Sequence, residues 1–214
     1  MDRPQGNGKQ RVGAGAYATA TDFQQIFTDH VDSLYLLSLL LTGNHEKAEE
    51  CFVAGIGEST KANHVFKEWA HSWARRTIIQ SAIRVIAPSR KRSATATLNP
   101  FDAAAMDKVP LVLHSEVRAI LELAPLERFV FVMSVLERYS DHDCSILLGC
   151  PRRDITTTRA RAMQRLVGLL ALKQKTPADT GSTNSVPPDD AETVIELMIA
   201  QHFATAAWNK SIFQ

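Results

Sequence analysis

The 214-residue sequence predicts an all-α protein made of two small helical bundles. In segment after segment apolar residues recur at three- and four-residue steps, and no segment shows the strict alternation of a strand. Periodicity also lapses mid-chain: residues 88–110 carry Pro88, Ser89, Ser93, Thr95, Thr97, Asn99, Pro100 and a run of alanines, the composition of a linker between two folded units.

Taken in order, residues 1–20 are polar and glycine-bearing and read as disordered. Thr21 and Asp22 open a helix whose stripe is Phe23, Ile26, Phe27, Val31, Leu34, Leu37 and Leu41. Gly43 suits the left-handed turn that ends it, and Asn44 suits the cap of the next helix, residues 46–55. A long helix over residues 65–86 carries Phe66, Trp69, Trp73 and Ile83 on its apolar stripe, together with Arg75, Arg76 and Arg84. The first unit is therefore 21–87. Helical patterns resume over 111–123 and 126–139, then 141–148 and 152–172, giving a second unit of 111–173. Residues 174–190 are rich in Thr, Ser, Pro and Asp and read as a disordered linker. Residues 191–214 read as a terminal amphipathic helix with Val194, Leu197, Met198 and Phe203 on one side.

Composition narrows the class. With 45% hydrophobic residues most of the chain can bury a core, and with 3 Cys there is no disulfide framework and no Cys-x-x-Cys pair. The longest apolar stretch, residues 34–41, is too short to cross a bilayer, and the first fifteen residues lack the apolar run of a signal peptide. A cytoplasmic protein is expected. The formal charge of +1 hides segregation: residues 22–68 hold eight acids against three bases, whereas residues 150–175 hold seven bases against one acid. A basic C-terminal element of this kind points to a polyanionic partner.

Residues 140–166 are the most informative. Ser140 can cap a helix with Asp143 three residues on, Gly149 supplies a turn, and Pro151 stands where a helix begins. Two short helices about a tight glycine turn form a helix-turn-helix, whose second helix fits a major groove about 12 Å wide. On a helical wheel of about 100° per residue, Ile155, Ala162, Leu166 and Leu169 fall together as a buried face. Arg153, Thr156, Thr157, Ala160 and Gln164 fall opposite, with Arg161 at the edge. Arg152, Arg153, Thr156, Thr157, Arg161 and Gln164 are the predicted DNA-binding residues, since guanidinium, hydroxyl and amide groups are what phosphates and base edges need. Arg159 lies near the buried stripe and is left out. A solvated basic face on an ordinary bundle helix is the plainer alternative.

The run Leu126-Glu-Arg-Phe-Val-Phe-Val-Met-Ser-Val-Leu-Glu-Arg-Tyr-Ser140, the segment 141–151 and the pattern Ile155…Arg161-Ala162…Leu166 resemble region 4 of bacterial sigma factors. The nearest subgroup is the short extracytoplasmic-function type of the sigma-70 family. Residues 23–41 and the segment Leu41-Thr-Gly-Asn-His-Glu-Lys-Ala-Glu-Glu50 are similar to the start of region 2. The resemblance implies that the second unit reads promoter DNA and that the first meets RNA polymerase core, with Ala48, Glu49 and Glu50 matching the polymerase-binding motif. It also implies a region 2 contact to DNA from Trp69, which matches the tryptophan that opens the family's melting helix, and it admits an anti-sigma factor as a partner. Arg75, Arg76 and Arg84 on the same helix are candidates for region 2 phosphate contacts, or equally for its solvated face. Lys47, Cys51, Val53 and Ala54 depart from the family pattern, and Arg76 and Gln80 stand where the family has Asn and Asp. The alternative is a degenerate sigma-like regulator that binds DNA or another protein without initiating transcription. Trp69 and Trp73, four residues apart, are expected in the core against Leu34 and Leu37, with base stacking as the other reading.

No enzyme is expected. None of the seven His pairs with Cys, Asp or Glu at metal-ligand spacing, no strand precedes any Gly-x-Gly, and no nucleophile elbow is present. No cofactor, metal or catalytic residue is predicted.

Overall fold

The computed structural model describes residues 16–62, 64–88 and 114–174. The expectations for the N-terminal tail, the linker beyond Pro88 and the tail after Gln174 lie outside the described residues. Among those residues the chain forms eight α-helices and no strand: α1 Ala20–Asp29, α2 Val31–Thr42, α3 His45–Thr60, α4 Ala70–Ile86, α5 His114–Leu121, α6 Pro125–Phe131, α7 Asp141–Leu148 and α8 Arg152–Gln174.

The start of α1, at Ala20, lies one residue before the expected Thr21, because Thr19 and Asp22 form a reciprocal capping box: the Asp22 amide donates to the Thr19 hydroxyl and the Thr19 amide to the Asp22 carboxylate. The single helix expected across residues 22–41 is broken at His30, which leaves helical geometry at φ −116° and ψ 24°. The hydrogen-bond ladder continues across it, from His30 to Ile26 and from Leu34 to His30, so the apolar rhythm gives no sign of the bend. Every residue of α2 from Ser33 to Thr42 is buried. A helix buried all round is the interior one of its bundle, and the Ser38 and Thr42 hydroxyls inside it donate to carbonyls of the preceding turn.

Around α2 stand α1, α3 and α4 on one side and α5 and α6 on the other. One continuous cluster runs from Phe27 through Leu34, Leu40, Ile78 and Ile79 to Ile120, Phe129 and Met133, and on to Ile155 and Leu166 in α8. The two helical groups thus share a core, where the sequence led to two bundles standing apart.

Two buried cations bolt the groups together. Arg128 in α6 donates to the carbonyls of Leu41 and Thr42 at the end of α2, at 3.3 and 3.1 Å, and to those of Leu121, which ends α5, and Leu123 just after it. It thereby satisfies carbonyls that a helix end leaves without partners. Gly43, in the left-handed turn at φ +69°, leaves the space: a Cβ there would lie 2.8 Å from the guanidinium. Burial pulls the Arg128 pKa down to about 10. Arg75 in α4 forms a two-pronged ion pair with Glu137, its Nε donating at 2.7 Å. Glu137 follows a single wide turn, Val132–Leu136, in which α6 loosens to a π-helix before Arg138 reverses the chain at φ +57°.

Candidate nucleic-acid interface

The α7–turn–α8 unit is built from local signals. The Ser140 side chain accepts the Asp143 amide at 3.1 Å and starts α7. Gly149, left-handed at φ +63°, ends it with its N–H on the Ser145 carbonyl. Ser145 Oγ then donates to the Cys150 carbonyl at 2.6 Å, closing the turn, and the Pro151 carbonyl receives the Asp154 and Ile155 amides in the first turn of α8. Asp141, the first residue of α7, reaches across to α8: one carboxylate oxygen takes Arg159 at 2.6 Å and the other takes the Thr156 hydroxyl at 2.9 Å. Below, Arg165 pairs with the buried Glu127 of α6 at 2.6 Å, and Cys144 sits inside, its thiol pushed up to about 11 by burial and so kept neutral.

On α8, Ile155, Ala162, Met163 and Leu166 are buried, as is Thr158. Arg152, Arg153, Thr156, Thr157, Arg161 and Gln164 are all exposed, and the Arg153 side chain is 88% exposed with only a loose 3.7 Å approach to Asp154. The six residues thus line the outside of one helix held on its other side by the core. The two threonines are less free than their exposure implies. Thr157 donates to the Arg153 carbonyl and Thr156 to Asp141, so each presents a methyl group and hydroxyl lone pairs outward, not a free O–H donor. Arg159, set aside on the wheel, is the half-buried clamp residue.

The residues assigned in the first unit divide differently. Arg75 is buried and consumed by Glu137, so it cannot reach DNA, contrary to expectation; its partner lies 62 residues away, beyond any local pattern. Trp69 and Trp73 are not in the core as expected. They are 59% and 38% exposed, because α2 and the small Ala18–Phe23–Val65–Ala70 cluster already cover the inner side of α4. Trp69 meets Phe66 edge-on at 5.3 Å, and Phe66 stacks on Tyr17. Arg76 and Arg84 are exposed. Ala48 is completely buried in the core, which withdraws it as a contact for a partner. Glu49 and Glu50 face outward beside the exposed Val53, with His45 Nε2 3.3 Å from Glu49.

Sequence reasoning missed Asp141, Glu127 and Arg128. An acid in the first turn of α7 hinted at the first, whereas Glu127 and Arg128 act through partners on other helices. Among the described residues there is no cluster of His, Cys, Asp and Glu able to hold a metal, and no helix is long and apolar enough to cross a membrane. No protein-family model, curated protein or solved structure matches the chain.

Proposed function

We propose that this protein binds duplex DNA through α7 and α8, with α8 in the major groove, and that it is a sigma-like transcription protein meeting RNA polymerase core through the acidic outer side of α3. One observation carries the DNA reading: Arg152, Arg153, Thr156, Thr157, Arg161 and Gln164 stand outside while Ile155, Ala162, Met163 and Leu166 anchor the same helix. Guanidinium groups on such a helix suit phosphates and guanine edges, and the amide of Gln164 suits adenine. The polymerase half of the proposal rests on the sequence resemblance and on Glu49, Glu50 and Val53 at the surface of α3.

A second reading, a DNA-binding regulator that does not initiate transcription, is favoured by the Arg75–Glu137 and Arg128 bolts. A sigma factor that reads two separated promoter elements needs its two halves free to span them, and here they share one core. Pull-down with purified core polymerase followed by single-round transcription separates the two. Core binding with initiation supports the sigma role; DNA binding without core recruitment selects the regulator; loss of both refutes the proposal.

A further inference from the structure

The outer side of α8 carries more positive charge than the described residues neutralise. Arg159 and Arg165 are held by Asp141 and Glu127. Among the described residues no carboxylate pairs with the exposed Arg152 or Arg161, and Arg153 has only its 3.7 Å approach to Asp154. Further along the same side the cations give way to small residues. Gly168 and Ala171 are exposed and fall within about 60° of Arg153 on the wheel. A Cβ at Gly168 would meet nothing within 4 Å, so a second chain can approach closely there.

The acids that complement this side follow α8 in the sequence, outside the described residues. From Thr176 to Asn209 the chain holds Asp179, Asp189, Asp190, Glu192 and Glu196 and no Lys or Arg. Glu192, Glu196 and Ile199 recur at four- and three-residue steps, so in the helix that the sequence predicts over residues 191–214 they share one side. An acidic turn followed by an apolar residue matches, in order and spacing, the cationic stretch at Arg161 and the uncharged one at Gly168. Seven residues separate Glu192 from Ile199 and seven separate Arg161 from Gly168, about 10 Å of helix in each. The match requires the segment to run parallel to α8, and the connection is long enough. Sixteen residues, 175–190, precede the predicted helix. A coil of that length averages about 22 Å end to end, and α8 from Gln174 back to Arg161 measures about 20 Å.

We propose that residues 189–199 dock along the outer side of α8, with the Glu192 and Glu196 carboxylates against Arg161 and Arg153 and Ile199 over Gly168 and Ala171, so that the chain covers its own DNA site and duplex must displace the segment to bind. The occlusion rests on the DNA reading of α8; the docking does not. Carboxylates compete here because a guanidinium takes them by the same charged hydrogen bonds that it gives to phosphates.

The test uses the full chain. Ile199→benzoylphenylalanine, irradiated and mapped by mass spectrometry, should give crosslinks within one molecule to residues 160–171. Adding Glu192→Gln with Glu196→Gln should remove most of them. Without the photoprobe, the same pair of changes should tighten low-salt binding to a labelled 30-base-pair duplex by about twofold to tenfold in fluorescence anisotropy, the scale of two exposed ion pairs. Asp32→Asn with Glu58→Gln, which removes two exposed acids far along the chain, should match wild type in both assays. Crosslinks confined to other helices, or joining two copies of the chain, overturn the docking. Crosslinks to α8 with unchanged duplex affinity in the glutamine variant overturn the occlusion and leave the α8 reading standing. Equal gains from the two double variants overturn it too, because they mark an effect of net charge alone. If crosslinks reach α8 and no protein binds duplex at any salt, the DNA reading falls and the docking stands.

Discussion

The Asp141 carboxylate holds the Arg159 guanidinium at 2.6 Å, tying the first residue of α7 to the second turn of α8. Its other oxygen takes the Thr156 hydroxyl. Both partners of the ion pair are largely shielded, at 23% and 21% side-chain exposure, so screening weakens it less than a surface pair. This contact sets the angle at which α8 projects. Asp141→Asn should destabilise the fold by about 1–3 kcal/mol, the scale of a hydrogen bond to a charged group, measured by urea denaturation. It should also weaken DNA binding although Asp141 touches no DNA. A double-mutant cycle with Arg159→Met should show coupling, and additive effects would contradict the clamp.

Gly43 and Gly149 are both left-handed turns, yet they should respond differently to alanine. Around Gly149 a Cβ meets nothing within 4 Å, so Gly149→Ala should cost only the conformational penalty, about 1–2 kcal/mol. At Gly43 the same Cβ meets the Arg128 guanidinium at 2.8 Å. Gly43→Ala should therefore cost clearly more than Gly149→Ala in the same denaturation assay, because it also displaces a buried cation from four carbonyls. Equal costs would mean that Arg128 moves aside freely.

Arg75→Met should be severe, since it leaves the Glu137 carboxylate buried without its cation, a loss of about 3–5 kcal/mol. Changing both residues, Arg75→Met with Glu137→Leu, should recover most of that stability, because an apolar pair of similar volume can replace a buried ion pair. If the double variant is no better than the single, Arg75 is held by contacts other than Glu137.

His71 supplies a pH dependence. Its Nε2 is buried without a partner and its ring lies 4.6 Å from that of His30. Burial, reinforced by Arg75 and His30, pulls its pKa from 6.5 down to about 4. The unfolded chain therefore takes up a proton first. The stability associated with a neutral His71 is full above about pH 6.5 and is lost as the pH falls toward 4. Urea midpoints measured between pH 7 and pH 4.5 should decline in wild type, and His71→Phe should flatten part of that decline. Identical pH profiles would remove His71 as a contributor.

Much of the α7–α8 unit was legible because its signals are local: Ser140 caps, Gly149 turns, Pro151 restarts, and the wheel separates Ile155 and Leu166 from Arg153 and Gln164. The α7 boundaries and the start of α8 follow the sequence reading to the residue. What the sequence hid is tertiary. A helical wheel marks Trp69 and Trp73 as apolar but does not know that α2 fills the space they would occupy. Nothing near Arg75 or Arg128 announces that their partners are Glu137 and the end of α2. The bend at His30 lacks glycine and proline, so the apolar rhythm passes through it unmarked.

The most direct measurement of the central claim is the salt-dependent affinity of the Arg153→Ala, Arg161→Ala double variant for duplex DNA, set beside wild type. If the outer side of α8 enters the groove, the variant should keep its helical circular dichroism and melting behaviour. Its affinity should fall, and the salt slope should flatten by about two contacts where both side chains meet phosphate. Superimposable isotherms, or a wild-type chain that fails to bind duplex DNA even at low salt, would contradict the account.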